Sequence, residues 1–179
     1  VPFQIDMHLK KNSPKGIAIN KIPIRKASEL FGIINIVFFS PEDLNIIKNG
    51  PSERRHFLDA ELCQLDKIYL SDLSNYNKIL NQRNKLLKDM VYRPELSDTL
   101  PVWDMQLADT GKKIIRRREQ FVKELNEIVH EIHYRISGGR EELFLSYEPS
   151  VSADLLEQEL ERVKPRDLKQ CQTSVGPHR

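Results

Sequence analysis

Two long amphipathic stripes joined by a proline-bearing connection constrain this chain more than any other feature. In the first, Leu62, Leu65, Tyr69, Tyr76, Ile79, Leu86 and Met90 recur at intervals of three and four or their sums, and Leu58, Ile68, Leu73, Leu80 and Leu87 widen the band. That spacing returns to one side of a 3.6-residue helix and predicts roughly ten turns beginning at Pro51, as one helix or two nearly in line. The connection, 91–102, carries Pro94, Ser97, Asp98 and Pro101, which interrupt helix. Trp103 restarts a second helix that Gly138-Gly139 ends. Its Ala108, Gly111, Ile115, Val122, Leu125, Val129, Ile132 and Ile136 fall on a heptad seam, with Arg118 in the one missing place. Two such stripes with a short connection imply an antiparallel helical hairpin, an arm.

Sheet is expected before the arm. Phe3, Ile5, Met7 and Leu9 alternate with polar residues, which is the pattern of a half-buried strand. The cluster 12–16 (Asn-Ser-Pro-Lys-Gly) is a turn, Ile17–Ile19 a second strand, Asn20-Lys21 a second turn and Ile22–Arg25 a third strand. Connections this short make the meander antiparallel. A short helix is expected over 26–31, ended by Gly32. Ile33–Phe39 is apolar almost throughout and reads as a strand buried on both faces. Ser40 and Pro41 then start a helix with Glu42 and Asp43 in its first turn, and Asn49-Gly50 stops it before Pro51. After the arm, Leu143, Leu145 and Tyr147 alternate as in a strand. A charged helix follows over 153–163, stopped by Pro165. The fold class is α+β, divided into a β-rich part over 1–43, a helical arm over 44–140, and a strand and helix over 141–179 that return to the first lobe.

Composition excludes little. Net charge is +2, so an argument for nucleic acid must be local. Cys63 and Cys171 stand far apart in no metal spacing and read as reduced thiols of a cytoplasmic protein. The run Phe31–Phe39 is far too short to span a bilayer. The first residue is Val1, and the last four form a Gly-Pro turn region; the chain is read as a segment of a longer protein.

Several runs resemble one family. Phe39-Ser40-Pro41-Glu42-Asp43-Leu44, Gly50-Pro51-Ser52-Glu53-Arg54-Arg55 and Phe57-Leu58-Asp59 resemble the hallmark of the RecF family. So do Leu80 with Gln82-Arg83-Asn84, the pair Trp103-Asp104, and Gly176-Pro177-His178-Arg179. The resemblance covers most of the chain from Phe39 onward. It implies an ABC-type ATPase related to the SMC proteins, with an antiparallel sheet portion in its head and the long helical hairpin inserted as a second lobe. It further implies ATP and magnesium as cofactors and an ATP-dependent homodimer. The implied DNA target is a double-strand to single-strand junction, with RecO and RecR as partners in loading a recombinase at gaps, and no membrane role.

Yet the chain lacks the phosphate loop G-x-x-x-x-G-K-[ST], a glycine-rich signature and an apolar strand ending in metal-binding acids. In the family these lie on either side of the corresponding segment. Nothing in this sequence is expected to hold triphosphate or magnesium, so no catalytic or metal-binding residue is assigned and the segment alone is expected to be inactive.

The candidate DNA contacts are Lys112, Lys113, Arg116 and Arg117, which a helix places away from the apolar stripe, and Arg54 and Arg55 near the start of the arm. Each has a plainer alternative. The first group reads slightly better as a solvated helix face, and Arg54-Arg55 reads better as a structural pairing with acids such as Glu42 and Asp43. Cations at a helix N-terminus oppose its dipole and need some such reason. Arg118, on the seam, is expected to pair with Asp72 or another acid of the facing helix. Glu127, His130, Glu131 and His133 resemble half of a two-metal bundle site, without the other half. Pro41, Gly50 and Pro51 mark the joint between lobes. A rival function needs no DNA: the arm docks a protein partner.

Overall fold

A computed structural model describes residues 2–13 and 15–179. The expected turn at 12–16 therefore falls partly outside the described residues, at Pro14. Strands β1 (Ile5–His8), β2 (Gly16–Ile19) and β3 (Ile22–Pro23) form an antiparallel meander in the order β1-β2-β3, with Ile5 opposite Ile19 and Ile19 opposite Ile22. The tight turn between β2 and β3 holds Asn20 and Lys21 at φ 51° and 67°. Two positive φ values match the twist of a hairpin, and asparagine tolerates them better than most residues. The apolar side of β1 is not covered: Phe3, Met7 and Leu9 are exposed.

Helices α1 (Asn45–Lys48), α2 (Pro51–Leu65), α3 (Lys67–Asp89), α4 (Leu100–Ile136) and α5 (Leu156–Gln170) make up most of the rest. The first stripe is two helices. Asp66, at φ −137°, ψ 103°, breaks the helical backbone, and its carboxylate accepts the N–H groups of Ile68 and Tyr69. One aspartate thus ends α2 and caps α3. The second helix begins at Leu100 rather than Trp103. Pro101 lies in its first turn, where a missing N–H is harmless.

The hairpin is present: α3 and α4 make the most extensive contact in the chain. The core comprises Leu62 and Cys63 of α2, Tyr69, Tyr76 and Leu80 of α3, and Leu107, Ala108, Ile114 and Ile115 of α4, closed by Leu156, Leu160 and Val163 of α5. Each fully buried leucine or isoleucine there contributes about 1.5–3 kcal/mol. Beyond Leu125 the seam loses its cover, and Ile132 and Ile136 are exposed. Length explains this. The 37 residues of α4 extend about 55 Å, whereas the 23 of α3 extend about 34 Å. Gly138 and Gly139, at φ 65° and 75°, close α4, with the Gly139 N–H donating to the Tyr134 carbonyl.

Three expectations are corrected. Ile33–Phe39 is not a strand, and Val37, Phe38 and Phe39 are largely exposed. The run has no neighbouring strand among the described residues; the Ile33 and Ile34 N–H groups turn back to the Leu30 carbonyl, and the Ile36 N–H donates to the Gln64 side chain. Residues 141–148 are likewise not a strand. They follow α4, where Asn126 bonds both the N–H and the carbonyl of Leu145, so a side chain supplies the pairing that a sheet would give. Pro165 does not stop its helix, because α5 runs on to Gln170. Pro165 lies on the solvent side, where water can satisfy the freed carbonyl, while Val163 and Asp167 are buried on the other.

Candidate functional site

The basic run on α4 is answered by acids along its whole length. Lys112 pairs with Glu157 at 2.7 Å, Arg116 with Asp154 at 2.6 Å, Arg117 with Asp66 at 3.0 Å, and Lys113 approaches Asp72 at 3.9 Å. These acids come from α3, α5 and the turns flanking them, so the run is a seam between helices as much as a free face. The Lys112, Lys113 and Arg116 pairs are open to solvent, whereas Arg117–Asp66 is partly buried. Burial pushes the Asp66 carboxyl up, but the Tyr69 N–H, Arg117 and the Ile68 N–H outweigh it and hold the group below its ordinary value.

Arg118 is almost wholly buried and points inward. It does not reach Asp72. Its Nη2 donates to both oxygens of Asp59 on α2 at 2.7 and 3.0 Å, and its Nη1 donates to the Pro177 carbonyl at 2.7 Å. The Tyr69 hydroxyl completes the cluster against Asp59 and the Arg118 Nε. A buried guanidinium with each arm occupied is the arrangement in which the pair's attraction offsets its desolvation.

Arg54 and Arg55 separate. Arg54 donates to the carbonyls of Ile46 and Asn49 at 3.2 and 3.0 Å. It does not make the pairing with Glu42 or Asp43 that the sequence suggests: those acids serve their own turn, where Asp43 accepts the Ser40 N–H at 2.6 Å. Arg55 turns the other way, into a cleft beside Ser52, Asp59, Arg118, Pro177 and His178. His130 and His133 do not form a metal centre; His130 stacks on Phe144, and no group of three potential ligands is arranged for a metal among the described residues. Trp103 is half-buried near the start of α4.

A second buried arginine escapes the sequence argument. Arg83 is fully buried. Its Nε donates to Asp104 at 2.6 Å, and its Nη1 donates to Asp167 and to the Thr173 hydroxyl, both at 2.8 Å. Asn84 accepts the N–H and the hydroxyl of Thr173. Gln82-Arg83-Asn84 and Trp103-Asp104 are thereby brought to one place. The signal was available: Tyr76, Leu80, Arg83 and Leu87 share one face of α3, so a cation sits on an apolar stripe, as Arg118 does on α4. Tyr76 in turn meets His178 at 2.7 Å.

Two clefts flank the Gly176–Arg179 turn and share Arg55, Arg118 and Pro177. One, of about 220 Å³, also holds Ser52, His56 and His178. The other, of about 310 Å³, holds Arg54, Tyr147, Glu148, Ser150 and Arg179. The sequence has no phosphate loop to cradle a magnesium-bound triphosphate, and the cations lining the two clefts are arginines rather than lysines.

No family model matches the chain. Curated relatives do. It is 68% identical over 177 residues to the DNA replication and repair protein RecF of Agathobacter rectalis, covering 99% of this chain and 49% of the relative. It is 56% identical over 179 residues to RecF of Lachnoclostridium phytofermentans, covering 100% of this chain and 50% of the relative. Among solved structures, one described as "recombination mediator protein RecF-ATPrS in RecFOR pathway" matches 98% of this chain and 49% of that one, at TM-score 0.86 and 36% identity. A second, described with RecF-ATP, matches the same shares at TM-score 0.83 and 34% identity. The chain spans about half the length of the relatives it matches. Residue identity and a shared fold over nearly all of the present chain place it in the RecF family of DNA replication and repair proteins.

Proposed function

We propose that the protein carrying this chain is an ATP-dependent DNA-binding protein of recombinational and replication-gap repair. It acts at double-strand to single-strand junctions with RecO and RecR to assist recombinase loading, in the cytoplasm, as an ATP-dependent dimer. The observation that carries this reading is the match over 98% of the chain to RecF structures described with a nucleotide. ATP with magnesium is assigned to the rest of the protein, since the residues present offer no phosphate loop. No helix among the described residues is long and apolar enough to cross a membrane.

Within that function we assign 1–43 to the head lobe, 44–140 to the arm and 141–179 to the return towards the head, with Pro41, Gly50 and Pro51 as the joint. Gly50 has φ −73°, and a Cβ there meets nothing within 4 Å. A Gly50→Ala change therefore leaves the resting structure alone, and any loss of ATP-dependent dimerisation or DNA binding reports on movement.

Lys112, Lys113, Arg116 and Arg117 remain the arm's candidate phosphate contacts, with Arg54 and Arg55 at its foot. The more exposed pairs each contribute about 0–1 kcal/mol, so exchanging a carboxylate for a DNA phosphate is inexpensive. The test is salt-dependent DNA binding by the full-length protein with Lys112, Lys113, Arg116 and Arg117 all changed to glutamine. A weaker complex with a shallower salt slope is expected; unchanged binding removes the run from the DNA interface. The second reading, an arm that docks a protein without touching DNA, is favoured by the acid already beside each cation of the run. It predicts lost partner binding with DNA binding intact.

A further inference from the structure

Every cation of the Lys112–Arg118 run has a carboxylate partner; those at the arm's foot are positioned without being neutralised. Arg54 is anchored by two backbone carbonyls, and Arg179 by the Thr173 carbonyl through its Nε and Nη2. Carbonyls fix a guanidinium but carry no charge to cancel it. Arg55 makes no side-chain hydrogen bond or ion pair among the described residues, though it is only partly exposed. All three line one cleft of about 310 Å³. The carboxylate in that lining, Glu148, lies beyond 4 Å of each of them, and Asp59 in the adjoining cleft is already taken by Arg118 and Tyr69. Ser146, Tyr147 and Ser150 add hydroxyls.

These charges bear on a neighbouring imidazole. Burial first, then the charges of Arg179 and Arg55, hold His178 well below its ordinary value despite the Thr173 carbonyl. Uncompensated guanidinium forks around an open cleft call for an anion with oxygens on several sides. A carboxylate offers two oxygens and fills one fork, whereas a phosphate can engage more than one.

We propose that this cleft, between the start of α2 and the Gly176–Arg179 turn, is a phosphate-binding site in which Arg55 makes the principal contact and Arg54 and Arg179 flank it. The source of the phosphate, a DNA backbone or a free nucleotide, rests on the function proposed above; the site itself does not. It lies on a different surface from the Lys112–Arg117 run, at the arm's junction with the terminal turn.

The test uses the full-length protein with Arg55→Gln, with Arg55→Lys as the charge-preserving control. Three probes are titrated: a labelled duplex with a single-stranded tail, ATP, and inorganic tripolyphosphate. If the phosphate belongs to DNA, Arg55→Gln weakens duplex binding about eightfold at 0.1 M salt and lowers the salt slope by about 0.9, the value of one released counterion. ATP binding is then unchanged. If it belongs to a nucleotide, ATP and tripolyphosphate binding fall and duplex binding holds. Either result supports the site, and the lysine control recovers part of the loss. Ser146→Asp, which adds an anion at the exposed rim, is expected to weaken the same probe and serves as a second variant. Equal affinity of wild type, Arg55→Gln and Ser146→Asp for all three probes, with unchanged melting, overturns the proposal. A wild-type protein that binds no DNA overturns the broader function instead, and tripolyphosphate then decides the site alone.

Discussion

At the scale of single residues, His178 shows how a distant contact sets chemistry. Its Nε2 lies 3.2 Å from the Thr173 carbonyl, which can only accept, so Nε2 carries the proton. Nδ1 of the neutral ring therefore accepts from the Tyr76 hydroxyl at 2.7 Å, and burial keeps that phenol protonated. The imidazole is pushed down to about 4, by burial first. Because the folded value lies below the unfolded one, the unfolded chain takes up the proton first as pH falls. Stability is lost from about pH 6.5 down to about 4 and the loss is complete below that, amounting to on the order of 3 kcal/mol. Melting of wild type and His178→Gln across this range tests it: the wild-type advantage should shrink as pH falls, and a constant gap would sink the assignment. None of this was legible in sequence. Tyr76 and His178 are 102 residues apart, and no periodicity relates them. Arg118 was half legible, since its place on the seam demanded an acid, but Asp59 lies on another helix and could not be named from spacing.

At the scale of elements, the helices were legible because each carries its own hydrogen bonds and a repeating apolar face. The runs 33–39 and 141–148 were not. Alternation or apolarity shows that a segment suits a sheet, but a strand exists only with a neighbour to pair with, and no described residue supplies one. The close fit of the hairpin is also invisible in a pattern of apolar residues. Gly111 sits where an added Cβ would stand 2.7 Å from Leu156 Cδ2 and 3.2 Å from Tyr76 Cε2. Both neighbours are about 1% exposed and have nowhere to move. Gly111→Val should cost about 2–3 kcal/mol in urea unfolding through overpacking. Gly111→Ala should be milder, since about 1 kcal/mol of helix propensity opposes the clash. Equal stability of the valine variant and wild type would mean that α4 and α5 are less closely joined.

At the scale of the whole molecule, Arg83 ties α3, α4, α5 and the terminal turn into one body. Its partners Asp104 and Asp167 lie 21 and 84 residues further along the chain. Removing the cation strands two acids, one of them fully buried. Arg83→Met should therefore cost about 3–5 kcal/mol. Adding Asp104→Asn and Asp167→Asn should restore much of that, because the uncompensated charges go with it. Urea midpoints for the single and triple variants check this, and a triple variant no more stable than the single one would show that the loss lies in packing.

The same 84-residue separation has a consequence during synthesis. The hairpin's second helix ends at Ile136, so at about 5–20 residues per second roughly 1.5–6 s pass before Asp167 is made. Over that interval Arg83 has Asp104 as its partner, but its Nη1 lacks Asp167 and Thr173, beside the groove that α5 will fill. Helix pairing takes far less time, so the arm waits as a partly closed intermediate for its last helix, and this is the stage at which a chaperone has something to hold.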